Sequence, residues 1–230
     1  MEPRVVAGVV LAGGNSSRMG GQDKCLAPLA GRAVVAYVIA RLEPQVATLA
    51  LNANVEPSRF AGFGLPIIAD RIAGHAGPLA GLHAALVWAG ECGANIRHVV
   101  TVACDTPFLP DDLVARFLAA LEETGGECCV ARSGEGVHPV IGLWPIGLLA
   151  GTLEAALVAG QRKASTWAEQ QGAVEVFFPP AQLGGRAIDP FFNINWQEDQ
   201  GQCVVGRGPS QGLMRVIFEP SSVRLYIRPF

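Results

Sequence analysis

Charge is scarce in this sequence. Asp, Glu, Lys and Arg make up 16% of its 230 residues and the formal net charge is only −3. No field of one sign surrounds such a chain, so nucleic-acid binding is disfavoured, and any phosphate ligand must be held by a few local cations and backbone dipoles. Long apolar runs are missing too. The run at 5–12 is too short to span a bilayer and no small-residue cleavage region follows it, so we expect no membrane segment, no secretory leader and a cytoplasmic protein. The six cysteines (Cys25, Cys92, Cys104, Cys128, Cys129, Cys203) form no C-x-x-C pair and no Cys/His spacing that closes a zinc site. They read as reduced, mostly buried thiols. Internal repeats, linkers and low-complexity tracts are also missing, and with 50% hydrophobic residues disorder is excluded.

What is present is a chain able to bury one large core, punctuated by 28 Gly and 16 Pro that predict many turns between short elements. Residues 5–11 are apolar without alternation, as in a strand buried on both faces of a parallel sheet. Val34, Val35, Val38, Ile39 and Leu42 line one face of a helix, and a strand-like run follows at 47–51. The pattern repeats with a strand at 66–69, a helix at 79–88 and a strand at 98–103. Pro110, Asp111, Asp112 and Leu113 read as a helix start with acids in its first turn, and 127–131 and 137–144 as strands joined by a turn at 133–136. Helices around 148–157 and 164–170 and a strand at 174–178 complete an α/β fold of three layers, with a mostly parallel sheet of Rossmann-like order. The runs from 47, 66 and 98 lead into Asn52, Asp70 and Asp105. Ligands in such sheets bind at the carboxyl ends of strands, so these three side chains are expected to converge on one cleft.

The loop after the first strand, 11–24, carries the most information. It holds Gly13, Gly14, Gly20 and Gly21 together with Arg18 and Lys24. Glycines let successive amide groups approach phosphate oxygens, while Arg18 and Lys24 supply mobile positive charge. The loop is neither a Walker A motif nor G-x-G-x-x-G. A surface turn with solvated charges is the competing reading, weakened by the position directly after a buried strand.

Leu11, Ala12, Gly13, Gly14, then Arg18, Met19, Gly20, Gly21, then Asp23 and Lys24 resemble the signature of molybdenum cofactor guanylyltransferases. Further matches are Gly77-Pro78-Leu79-Ala80-Gly81, the run from Cys104 to Pro110, His138-Pro139, and Phe192-Asn193-Ile194-Asn195. Together they span about residues 5–199 in order. The resemblance implies a nucleotidyltransferase fold over 1–200, with 201–230 as a C-terminal extension. It also implies GTP and molybdenum-molybdopterin as substrates, Mg2+ as cofactor, transient contact with cofactor-delivering or molybdoenzyme-maturation proteins, and a monomer or weak oligomer.

Residue by residue, the resemblance places Leu11, Ala12 and Gly13 along the nucleotide, Lys24 on the triphosphate, Asn52 and Asp70 at further GTP contacts, and Mg2+ on Asp105. Arg18, Lys24 and Asp105 would then form the catalytic set. Mg2+ suits a lone strand-tip carboxylate because it often binds through one carboxylate plus substrate phosphates; a helix cap or a plain surface acid is the alternative for Asp105, and a turn-forming acid for Asp70. Gly77 and Gly81 would approach the acceptor, or merely allow tight helix packing. Asn193 and Asn195, two apart, would face one side of a strand and bind acceptor or nucleotide, or sit in a turn. His138 is either a site residue or a structural one beside Pro139. Related cytidylyltransferases of the same pathway typically carry Ala where Gly13 stands, which favours GTP over CTP.

After Asn195 this chain reads Trp196, Gln197, Glu198, Asp199, Gln200 where the family commonly continues Thr-Pro, and the stretch 201–230 has no match. Its apolar runs Val216-Ile217-Phe218 and Val223, Leu225, Tyr226, Ile227 predict an added hairpin. The alternatives carried forward are a cytidylyltransferase, a sugar-phosphate nucleotidyltransferase and a non-catalytic nucleotide-binding partner. A metal-dependent hydrolase finds no general-base constellation near Asp105.

Overall fold

The computed structural model describes residues 5–13, 24–29, 31–72, 77–183, 186–196, 203–205, 214–219 and 222–227. The chain begins with β1 (Val6–Leu11) and a short pair, β2 (Pro28–Leu29) and β3 (Arg32–Ala33), that leads into α1 (Val34–Leu42). Then come β4 (Thr48–Asn52), β5 (Ile67–Ile68), α2 (Pro78–Glu91), β6 (His98–Ala103) and α3 (Leu113–Thr124). After these follow β7 (Cys129–Ser133), β8 (Gly136–Pro145), α4 (Leu148–Val158), α5 (Ala164–Gln170) and β9 (Val174–Phe177).

Seven of these strands form one sheet in the order β5-β4-β1-β6-β8-β7-β9. It is parallel from β5 to β6 and again between β7 and β9; β8 alone runs against its neighbours. This is the three-layer α/β fold expected, and β1 shows why its sequence is continuously apolar. Val6 and Val10 pack with Val35, Val38 and Leu42 of α1 and Phe117 of α3. Ala7 and Val9 point the other way, into a second core with Leu82 and Leu86 of α2, Leu153 of α4 and Trp167 of α5. A strand covered on both faces has no polar side to show.

Boundaries differ from the sequence reading in three places that matter. The α3 helix begins at Leu113, so Asp111 and Asp112 precede it rather than occupy its first turn, and Asp111 pairs with Arg41 instead. Strand β7 starts two residues later than expected, at Cys129, which pairs with Val174 of β9. Asn193 lies ahead of strand β12 (Ile194–Trp196), so the period-two argument joining it to Asn195 does not apply.

Downstream, β10 (Ala181–Leu183) and β11 (Arg186–Ile188) form a hairpin. β12 opens a separate antiparallel sheet with β13 (Cys203–Val205), β14 (Met214–Glu219) and β15 (Ser222–Ile227). The expected hairpin in the tail is β14–β15, with Val216 opposite Leu225 and Phe218 opposite Val223. Of the cysteine thiols described, Cys25, Cys128 and Cys129 are buried, Cys92 is exposed and none forms a disulfide. Burial pushes Cys128 up to about 11 and Cys129 up to about 12, which keeps both protonated and unreactive at neutral pH.

Candidate active site

At its carboxyl end β1 is stitched to both neighbours. Ala12 N–H donates to the Asn52 C=O (2.8 Å) and Cys104 N–H donates to the Leu11 C=O (3.2 Å). The glycine-rich loop therefore departs from between the tips of β4 and β6, the place where parallel sheets open to ligands. Gly13 sits so close to the β4 tip that a Cβ there would lie 3.1 Å from Asn52 Oδ1 and 3.3 Å from Asn54 Nδ2. Gly81, in the first turn of α2, is tighter still: its Cβ would meet Asn52 Oδ1 at 2.5 Å and Leu11 Cδ2 at 3.1 Å. Helix α2 can approach the strand tips only with glycine at that position. Gly77, before the helix, has φ 147°, a conformation glycine adopts without strain, and a side chain there would meet open space.

Asn52 is 1% exposed and its amide nitrogen is engaged twice. Its Nδ2 donates to the Ile68 C=O (3.1 Å) and to Asp70 Oδ1 (3.0 Å). Asn54 Nδ2 donates to Asp70 Oδ2 (2.7 Å), and Asp70 N–H returns a bond to Asn54 Oδ1 (2.8 Å). Both carboxylate oxygens of Asp70 are thus oriented by amides. Asn54 was missed in the sequence, although it stands two residues after Asn52 in a segment leaving a strand, and period-two spacing could have flagged it.

The Asp105 corner is held differently. Thr106 is buried and its hydroxyl donates to the Ala103 C=O (2.8 Å), turning the chain sharply after β6. The half-buried Asp105 accepts Ile194 N–H on its own C=O (2.9 Å), which ties β12 to this tip. Behind the loop, Arg41 Nη1 donates to the Leu109 C=O and to Asp111 Oδ1 (both 2.9 Å). Gln45 Nε2 donates to the Pro110 C=O (2.9 Å) while its Oε1 accepts Val114 N–H (3.0 Å). Arg41 and Gln45, unremarked in the sequence, brace the loop from the end of α1 and the turn after it. The Cys104 thiol is hydrogen-bonded to Cys25, and this, with burial, pushes it well above the usual thiol range. That contact ties together Cys25 and Cys104, the chain neighbours of Lys24 and Asp105.

Gly13, Asn52, Asp70 and Gly81 therefore meet at the tip of β4, with Leu11 and Ala12 between them and the tip of β6, where Asp105 sits. Asn193 is exposed, one residue before the bond from Ile194 to Asp105. Arg18 and the rest of 14–23 lie outside the described residues, as do the side chains of Lys24 and Asn195. His138, on β8, has Nε2 2.8 Å from Ser133 Oγ and its ring against Phe191. Burial lowers its pKa while Asp189 pulls it back up. Among the described residues no group of three or more His, Cys, Asp or Glu is placed to hold a metal ion.

Residues 8–175 match the family of MobA-like NTP transferase domains. The chain is 46% identical over 200 residues to the molybdenum cofactor guanylyltransferase of Mesorhizobium japonicum, covering 87% of this chain and 95% of that one. Among solved structures it resembles the molybdopterin-guanine dinucleotide biosynthesis protein A of Archaeoglobus fulgidus, with TM-score 0.57 at 22% identity over 75% of this chain and 83% of that one. It also resembles the 4-diphosphocytidyl-2C-methyl-D-erythritol synthase of Anaerococcus prevotii, with TM-score 0.60 at 11% identity over 86% and 93%. At those identities the two structures speak for the fold, and the fold serves more than one nucleotide. The family match over most of the chain, together with the near-full-length relative, shows that this chain belongs to the MobA-like NTP transferase family.

Proposed function

We propose that the protein transfers the GMP moiety of GTP to the terminal phosphate of molybdenum-molybdopterin, forming the guanine dinucleotide cofactor and releasing pyrophosphate. The observation that carries this reading is the packing of Gly13 and Gly81 against Asn52. Residues far apart in sequence meet at one strand tip. The high identity to a guanylyltransferase supports the same acceptor and base.

In this reading the acceptor phosphate, already an anion, attacks the α-phosphorus of GTP in line; the bond from that phosphorus to the bridging oxygen breaks and pyrophosphate leaves with the electron pair. No catalytic base is needed. The chain's task is to orient the two phosphates and offset charge on the leaving group, which falls to Lys24 and Arg18. The donor set fits Mg2+: a single half-buried carboxylate at a strand tip suits an ion that completes its shell with phosphates and water. Asp105 would hold that ion, which when bound supplies charge neutralisation on the phosphates.

The cytidylyl alternative calls for Ala in place of Gly13, and that methyl would press on Asn52 and Asn54 at 3.1 and 3.3 Å. The wall of the site is built for glycine. Purified protein incubated with Mg2+, molybdenum-loaded pterin and either GTP or CTP decides the matter by dinucleotide and pyrophosphate formed. Product with GTP alone is expected; product with CTP moves the assignment to the sister activity, and none with either points to another acceptor such as a sugar phosphate.

A further inference from the structure

His138 lies on β8, beside β6, where Thr101 pairs with Gly142. On its other side His138 pairs with Ala131 of β7, next to the irregularity between Val130 and Ala131. The imidazole is fixed on two sides. Nε2 is 2.8 Å from Ser133 Oγ, which also accepts Glu135 N–H (3.2 Å). The ring packs on Phe191, with centroids 4.8 Å apart and planes tilted by 51°.

Phe191 is a buried side chain of the segment that carries Asn193. It is 2% exposed and meets Phe178 edge-on at 5.2 Å, and Phe178 meets Phe117 of α3 edge-on at 5.5 Å. The backbone around it is curled by Asp189, whose Oδ1 accepts Phe191 N–H (2.8 Å) and whose C=O accepts Phe192 N–H (3.2 Å). Two residues past Phe192, Ile194 N–H reaches the Asp105 C=O. The aromatic ladder fixes Phe191 from the core, and His138 closes on it from the sheet tip.

We infer that His138 is a positioning residue: by stacking on Phe191 it sets the 189–194 segment against Asp105 and thereby the site for the phosphorylated acceptor. The acceptor half of this inference rests on the proposed function; the positional half does not. Structural packing alone would give a loss of stability without preference for either substrate. Positioning gives a preference.

The test compares full-length protein with His138→Ala and with the double variant His138→Phe, Ser133→Ala, which keeps a ring on Phe191 and leaves no buried hydroxyl without its partner. His138→Ala should raise KM for the molybdenum-loaded pterin about 3–10-fold, the scale of one aromatic pair, with kcat and the KM for GTP changed less than about twofold. It should also speed hydrogen exchange of the Ile194 amide about 10-fold or more. The double variant should restore both. Equal rises in both KM values, unchanged exchange in His138→Ala, or no rescue by phenylalanine would overturn the inference. Should the wild type form no dinucleotide, the proposed function falls, and exchange at Ile194 still decides whether His138 positions the segment.

Discussion

At the tip of β4 four hydrogen bonds among Asn52, Asn54, Asp70 and Ile68 lock side chains to one another, and glycine backbone presses on them from two directions. At the tip of β6, on the other side of β1, the bonds that fix the chain run through backbone carbonyls: those of Ala103, Asp105, Leu109 and Pro110 receive donors from Thr106, Ile194, Arg41 and Gln45. Asn52, the buried member of the first network, cannot be lost without cost to the fold. A side chain on a loop braced through its backbone is separable from the fold. The two corners of one cleft should therefore answer mutation differently.

The sharpest contrast is expected at Asp105. Asp105→Asn should lower turnover about 10²–10³-fold, the usual cost of removing one charge-stabilising group, with the urea midpoint nearly unchanged. Steady-state rates and an unfolding curve on the same preparation check it. Near-normal turnover removes Asp105 from the metal role, and a large fall in the midpoint would erase the contrast between the corners.

Next in size are changes at the other corner. Asn52→Ala leaves Asp70 and the Ile68 C=O short of a donor inside the protein, at a cost of about 1–3 kcal/mol, and GTP affinity should fall with stability. Gly81→Ala forces a methyl against Asn52 Oδ1, at a similar cost of about 1–3 kcal/mol. Because both act through one contact, the double variant should be less destabilised than the sum, with a coupling of about 0.5–3 kcal/mol. Strict additivity in urea unfolding would mean that the glycine does not lean on the asparagine.

Much of this was legible in the sequence. The unbroken apolar run of β1 and the 35, 38, 39, 42 spacing of α1 announced a doubly covered parallel sheet, and Asn52, Asp70 and Asp105 declared themselves by ending apolar runs. What stayed hidden depends on the third dimension. Arg41 and Gln45 read as ordinary polar residues at a helix end, and only the return of the 109–114 loop shows what they hold. The stack of His138 on Phe191 joins residues 53 apart, and no local period reports such a pair. Asp111 and Asp112 misled because acids at a helix start are usually within its first turn, whereas here a distant arginine claims Asp111 before the helix begins.

The smallest expected effect also separates the corners. His83, on α2, is 4% exposed with Nδ1 buried and unpartnered, and burial lowers its pKa from 6.5, ahead of the opposing pull of Glu154. Burial lowers His98 and His138 as well. A histidine with a lowered folded pKa binds its proton less readily when folded, so its stabilising contribution is complete above pH 6.5, where both states are neutral, and is lost as pH falls from 6.5 through the folded value. Stability should be flat from pH 7 to 8 and decline below 6.5. Each such histidine adds at most about 1.4 kcal/mol per pH unit to that slope. His83→Leu should remove its share and flatten the decline. His138→Ala should flatten it by a comparable amount and raise the pterin KM besides. If His83→Leu leaves the acid slope unchanged, the buried imidazole is not what ties this fold to neutral pH.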